Sequence, residues 1–305
     1  MTSTPNLKAM SDSLSQFFQD VGKQTPIQKK NHLISSRGVP RTLALPLLEQ
    51  IGIRESSTGP LCLLDMACGS GVFTQEVQAV LPRDVLQGSS FTCADNSARL
   101  VDVVKTRIEA EGWVNAEAKV LDAMNTGLPN DVFTHVAIPL GLHIIPDPDL
   151  AVKECIRSMK PGAIFGATTF PNSNADRFWF PDMRSAFESF PFDAPFQKAP
   201  MQMHSSGHWY DPVWVEGHLE ELGLEDVQVN VVEGNYHVES ATEFAMGFGM
   251  MLPWLTSVFW DEEARKAHPA EELRELLKTH LEEKHGGKGW DIDWHVIVMT
   301  GVVKK

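Results

Sequence analysis

The run Leu63-Leu64-Asp65-Met66-Ala67-Cys68-Gly69-Ser70-Gly71-Val72-Phe73-Thr74 constrains this chain more than any other stretch. An apolar segment ends in an acid, passes through a turn of small residues and opens into a helical pattern. That is a strand, a loop whose backbone a ligand can approach, and a helix N-terminus aimed at it. The rest of the chain repeats the unit. Spacing and apolar periodicity predict strands at 61–65, 90–95, 116–121, 132–139 and 163–169, with helices at 72–80, 98–111 and 150–159 between them. A helix over 208–222 and strands at 226–232 and 294–303 complete the pattern. Alternation of this kind builds an α/β fold: a doubly wound, seven-stranded, mostly parallel sheet with helices on both faces.

In such a sheet, ligands bind beyond the C-terminal strand ends. Here the first three strands each lead into an acid: Asp65, Asp95 and Asp122. One acid would pass as a helix cap or a turn residue. Three in succession, with a glycine loop after the first, point to a ligand. A dinucleotide loop would carry a third glycine further into the helix, where this chain has Thr74. Asp65 would also repel a pyrophosphate, whereas it suits an ammonium. The loop therefore favours S-adenosylmethionine over NAD. Asp95 can accept hydrogen bonds from both hydroxyls of a ribose.

Taken with Ile138-Pro139-Leu140-Gly141-Leu142-His143 and Lys160-Pro161-Gly162, these landmarks resemble the class I S-adenosylmethionine-dependent methyltransferases, in their small-molecule branch. The resemblance runs from about Cys62 to Val232 and implies a Rossmann-like methyltransferase fold. It implies a cofactor site of Asp65, Ala67, Gly69, Ser70 and Gly71 in the loop. Asp95 is then on the ribose with Asn96 beside the adenine, and Asp122 and Ala123 recognise the adenine edge. Pro139 and Leu140 run under the methionine portion. The chain departs from the pattern at Ala67, where a glycine often opens the loop, at Thr134, where an acid is usual, and at Pro139, where a small polar residue is common. The loop and the long final insert are also similar to fungal secondary-metabolite methyltransferases, including those acting on thiols of epipolythiodioxopiperazines.

Composition bounds the acceptor. A net charge of −14 over 305 residues, with no Lys/Arg cluster, argues against a nucleic-acid partner. No apolar run reaches membrane-spanning length and residues 1–10 lack a signal-peptide core, so neither a membrane nor export is expected. Cys62, Cys68, Cys93 and Cys155 lack zinc-site spacing and read as reduced thiols, which places the chain in the cytoplasm and predicts no metal site. Residues 1–58, with an amphipathic start at Leu14, Phe17 and Phe18 and with Pro40 and Pro46 cutting possible helices, read as a helical lid segment before a domain spanning 59–305. Inserts lie at about 171–212 and 233–290, and the stretches 171–214 and 244–260 are rich in aromatic residues and Met (Phe178, Trp179, Phe180, Met201, Met203, Trp209, Trp214, Met250, Met251, Trp254). They serve either as their own core or as an apolar lid over a small-molecule acceptor.

Methyl transfer from a sulfonium needs positioning and exclusion of water more than a strong catalyst. A base helps only when the acceptor carries a proton, as a phenol or ammonium does. Candidate bases are His143, His204 and His208, with His237 after the sixth strand. The acceptor atom is O, N or S of a small, largely apolar molecule. Two other readings stay open: a rearrangement or cyclisation enzyme on the same fold, and a non-catalytic binding protein.

Overall fold

The computed structural model describes Gln16, residues 38–196 and residues 202–304. The expected amphipathic start at Leu14, Phe17 and Phe18 and the lid residue Met201 lie outside them. Helix α1 (Val39–Gln50) leads into β1 (Cys62–Met66), α2 (Val72–Val80), α3 (Arg83–Gly88), β2 (Ser90–Asp95), α4 (Ala98–Glu111) and β3 (Ala116–Val120). Then follow β4 (Phe133–Ile138), α5 (Pro148–Ser158), β5 (Met159–Thr169), α6 (Phe180–Ser189), α7 (Pro212–Glu221) and β6 (Leu224–Val238). Short helices α8 (Ala241–Gly247), α9 (Leu252–Phe259) and α10 (Glu262–Ala267) precede α11 (Ala270–Lys284) and β7 (Trp290–Val303).

The strands form one seven-stranded sheet in the order β3-β2-β1-β4-β5-β7-β6. Neighbours from β3 to β5 run parallel, and β7 lies antiparallel to β5, which is the mostly parallel sheet expected. Strand order reverses between β1 and β4, so the ligand crevice belongs beyond Met66 and Ile138.

Two expectations are corrected. Pro46 does not cut α1, because burial of Leu43, Leu47, Leu48 and Ile51 outweighs the hydrogen bond it removes. Pro40 stands in the first turn, where its missing N–H costs nothing. Helix α7 starts at Pro212 and not at His208. Asp211 caps it by accepting from the Val213 N–H at 3.0 Å, and Pro212 supplies the preset first turn.

The chain divides into two compact units. Residues 40–171, 202–232 and 296–304 hold most of the sheet. Leu64, Val136, Ile138, Val152, Phe165, Leu219 and Ile297 are all buried in its core. Helix α1 closes on β5 at Gly166, where a Cβ would stand 2.9 Å from Leu47 Cδ1. The second unit, residues 172–196 and 233–295, has an aromatic core. Phe187 contacts Phe190, Phe196 and Trp260, and Phe244 contacts Phe248 and Trp290. Buried Asp182 organises its polar side. It accepts from Lys284 Nζ at 2.8 Å, His285 Nε2 at 3.1 Å and Trp290 Nε1 at 2.8 Å. Phe178, Trp179, Phe180 and Trp254 are buried here, while Met203 and Trp209 are buried in the first unit. Among the described residues no helix is long and apolar enough to cross a membrane.

Candidate active site

Asp65 stands one residue before the end of β1, with its side chain fully buried. Its Oδ2 accepts from the Thr74 backbone N–H at 3.2 Å and from Thr74 Oγ1 at 2.7 Å. Helix α2 begins after Gly71, which has no side chain to cap it, so Asp65 takes over that task from the strand. Its other oxygen, Oδ1, is buried without a hydrogen-bond partner. A buried carboxylate so placed is costly to ionise. Burial, opposed by the Thr74 hydrogen bonds and reinforced by nearby Asp95, pushes it up to about 7.

Asp95 ends β2 and is also buried. Its Oδ2 accepts from the Gly69 N–H at 2.9 Å and its Oδ1 from the Ser97 N–H at 2.9 Å. It thereby ties the glycine loop to the second strand, and each oxygen keeps a lone pair. Burial raises its pKa. Asn96 beside it is exposed. The loop itself needs left-handed backbone at Ala67 (φ 54°), Gly69 (φ 55°) and Gly71 (φ 78°). A Cβ at Gly69 would meet nothing within 4 Å, so that backbone is open to a ligand. Ala67 bears the strain of a side chain at positive φ. Gly141 makes room for it, since a Cβ there would lie 3.1 Å from the Ala67 Cβ.

Asp122 follows β3 and is exposed. Its Oδ1 accepts from the Met124 N–H at 2.9 Å, the geometry of a turn acid, and neighbouring Ala123 is buried. Sequence reasoning missed the support beneath this loop. Arg157 donates to the Leu128 carbonyl at 2.7 Å and to Glu154, while Glu154 accepts from Thr126. Thr134, the departure in β4, clamps β1 instead: its Oγ1 accepts from the Cys62 N–H at 2.9 Å.

Beyond β4, half-buried Pro139 and Leu140 lead to Gly141 and His143. Leu140 sits at φ 54° with its N–H on Thr168 Oγ1 at 2.9 Å. His143 is buried, edge-on to Phe170 at 5.1 Å, with Nδ1 unpartnered. Burial, with His204 close by, lowers its pKa to about 3, so its imidazole is neutral. The loop before α7 brings His204 to the same place. Met203 N–H bonds to the His143 carbonyl at 2.8 Å, and His204 Nε2 donates to the Leu142 carbonyl at 2.8 Å. Burial lowers the His204 pKa as well. His208 is not part of this group; it is exposed, 3.0 Å from the Tyr210 hydroxyl. His237 is exposed in the second unit, 2.7 Å from Asp291, which raises its pKa.

Asp65, Ala67, Gly69, Ser70, Gly71 and Asp95 therefore converge at the ends of β1 and β2. Residues 63–162 match a family described as a methyltransferase domain. The methyltransferase tpcH of Aspergillus fumigatus is 32% identical over 80% of this chain and 84% of that protein. The chain belongs to the class I S-adenosylmethionine-dependent methyltransferases. Its cofactor is thus S-adenosylmethionine. The acetylaranotin bis-thiomethyltransferase of Aspergillus terreus is 30% identical over 79% of this chain and 81% of that enzyme. The solved YcgJ protein from Bacillus subtilis shares the fold, with a TM-score of 0.51 and 13% identity over 87% of this methyltransferase and 99% of that chain. All four cysteines are free thiols. Among the described residues no group of three or more His, Cys, Asp or Glu is placed to hold a metal ion.

Proposed function

We propose that this methyltransferase modifies an O, N or S atom of a small, largely apolar molecule of secondary metabolism. The observation that carries the site assignment is the unpartnered, fully buried Asp65 Oδ1 beside a loop with open backbone at Gly69. A buried carboxylate oxygen without a partner fits the ammonium of the cofactor's amino-acid end. Ala67, Ser70 and Gly71 complete that loop. Asp95 takes the ribose with Asn96 beside the adenine, Asp122 and Ala123 the adenine edge, and Pro139 and Leu140 the methionine chain. When bound, S-adenosylmethionine supplies a methyl group already activated on a sulfonium.

The residues of this chain then hold the acceptor and manage its proton. His143 is the base we assign, with its buried Nδ1 unpartnered and His204 fixed beside it by the Leu142 carbonyl. His208 is too far from this arrangement in role and setting to share it, being engaged with Tyr210 at the surface. An imidazole whose pKa is held at about 3 is a weak base. It suits an acceptor that ionises readily, so we rank thiols first, then phenols, then amines. The relative named for thiomethylation of acetylaranotin supports that order.

Calorimetric titration with S-adenosylmethionine, S-adenosylhomocysteine and NAD tests the site. Binding of the two sulfur ligands without NAD is expected, and NAD binding alone would overturn the assignment. Incubating apolar thiols, phenols and amines with the cofactor and reading product mass tests the reaction. Gain of one methyl is expected; a product of unchanged mass would favour rearrangement or cyclisation.

A further inference from the structure

We propose that Arg107 is a positioning residue that sets cofactor affinity by locking the Ser70–Gly71 peptide of the glycine loop. The inference rests on the assignment of that loop to S-adenosylmethionine. Arg107 lies in α4, yet its side chain is only 1% exposed. A guanidinium so deeply buried is rare unless it is held on several sides. Here Nη1 donates to the Ser70 carbonyl at 2.5 Å, and Nη2 donates to Gln75 Oε1 in α2. Nε donates to Glu111 Oε1 at 3.1 Å.

The Ser70–Gly71 peptide is therefore fastened at both edges. Arg107 holds its carbonyl, and the Cys68 carbonyl holds its N–H at 2.8 Å. Because a peptide unit is planar and trans, fixing both groups fixes the plane. Turning that plane would strip a charge-assisted hydrogen bond from a buried cation. Trp113 adds a steric stop. Its ring lies 5.0 Å from the Arg107 guanidinium, and its Nε1 donates to Glu111 Oε2 at 3.2 Å. Its Cη2 would lie 3.0 Å from a Cβ placed on Gly71, which sits at φ 78°. Arg107, Glu111 and Trp113 thus make one cluster packed against the loop at Ser70 and Gly71, while a Cβ at Gly69 meets nothing within 4 Å. None of them is required for the chemistry of methyl transfer. Their joint effect is a loop already in one conformation before the cofactor arrives, which removes an ordering cost from binding.

The test separates this role from plain structural support. Arg107→Lys keeps the charge but loses the fork, and Arg107→Met removes both. Val215→Ala, a buried core change in α7 well removed from the loop in sequence, serves as a stability control. Affinity for S-adenosylhomocysteine and S-adenosylmethionine is measured by calorimetry well below each variant's melting temperature. Hydrogen exchange at the Gly71 amide is followed in parallel. Both Arg107 variants are expected to lose about 10- to 100-fold in affinity for both ligands. Gly71 should exchange faster in them, while Val215→Ala melts earlier but binds as wild type does. Folded Arg107 variants that bind within about twofold of wild type overturn the proposal. So does an equal loss of affinity in Val215→Ala. If Arg107→Met does not fold, Arg107→Lys and Trp113→Phe carry the same comparison. Failure of the wild-type protein to bind either sulfur ligand refutes the loop assignment itself, which is a separate outcome.

Discussion

Asp65→Asn is the substitution whose consequences follow most directly from the structure. The unfolded carboxyl titrates near 3.8, whereas burial holds the folded one at about 7. Between those values the folded chain keeps a proton that the unfolded chain has released. Stability therefore falls as pH rises through that window and levels off above it. At about 1.36 kcal/mol per pH unit, the interval corresponds to a loss of roughly 4 kcal/mol. An asparagine cannot ionise, and its side-chain oxygen can still accept from Thr74. The variant should match wild type near pH 4 and exceed it by up to roughly 4 kcal/mol near pH 8. Urea unfolding at the two pH values measures this difference. Ligand binding should reverse the sign of the effect, because an ammonium opposite Oδ1 favours the charged carboxylate. Wild-type affinity for S-adenosylhomocysteine should climb by up to about tenfold per pH unit towards 7. It should decline again at more alkaline pH, where the ligand's amino group loses its proton. The variant should bind weakly and without the acid limb. A stability difference between variant and wild type that is the same at both pH values would refute the reasoning, because it would mean Asp65 is already ionised at low pH.

Four further outcomes are expected. Ala67→Gly should stabilise the protein by about 1 kcal/mol by relieving positive φ, read as a higher melting temperature. Gly141→Ala would place a Cβ 2.6 Å from Ile138 Cγ2 and 3.1 Å from the Ala67 Cβ, and should cost about 1–3 kcal/mol. Combining it with Ala67→Gly should recover part of that loss in a double-mutant cycle. Asp182→Ala should lower stability by about 2–4 kcal/mol, since Lys284, His285 and Trp290 all lose their acceptor; urea unfolding reads it. His143 is neutral when folded and ordinary when unfolded, so it withdraws stability as pH falls below about 6.5, amounting to about 2 kcal/mol by pH 5. His143→Gln should abolish that share of the acid sensitivity, and its catalytic loss should be greater for phenols than for thiols.

The sheet and the glycine loop were legible because local signals and tertiary structure agree there. Helices 72–80 and 98–111 and the strand at 90–95 stand where the pattern put them, since each helix has one apolar face and a capped or glycine-marked end and the strand is a short run buried on both faces. The acids at the strand ends were legible as positions but not as roles. Asp65 and Asp95 prove to brace the loop and helix through backbone N–H groups before any ligand is considered. Asp122 makes an exposed turn. The histidines were the least legible. His143 and His204 are brought together by chain segments far apart in sequence, and only their burial separates them from His208.

Arg107 shows why a functional support can be invisible in sequence. In the pattern of α4 it stands one place before the apolar Ile108, among the polar residues of an amphipathic helix, and a charged residue there reads as solvated. What buries it is the loop crossing over it from β1 and the Trp113 ring that follows the helix. The aromatic unit is obscure for a related reason. It is assembled from two stretches separated by about a strand and a helix of the other unit, so neither stretch alone shows a complete apolar face. Its organising charge, Asp182, answers Lys284, His285 and Trp290 from the far stretch. A local window can see a residue that must be buried, but it cannot see a partner that arrives dozens of residues later; that is why the cofactor loop was readable and Arg107, which holds its Ser70 carbonyl, was not.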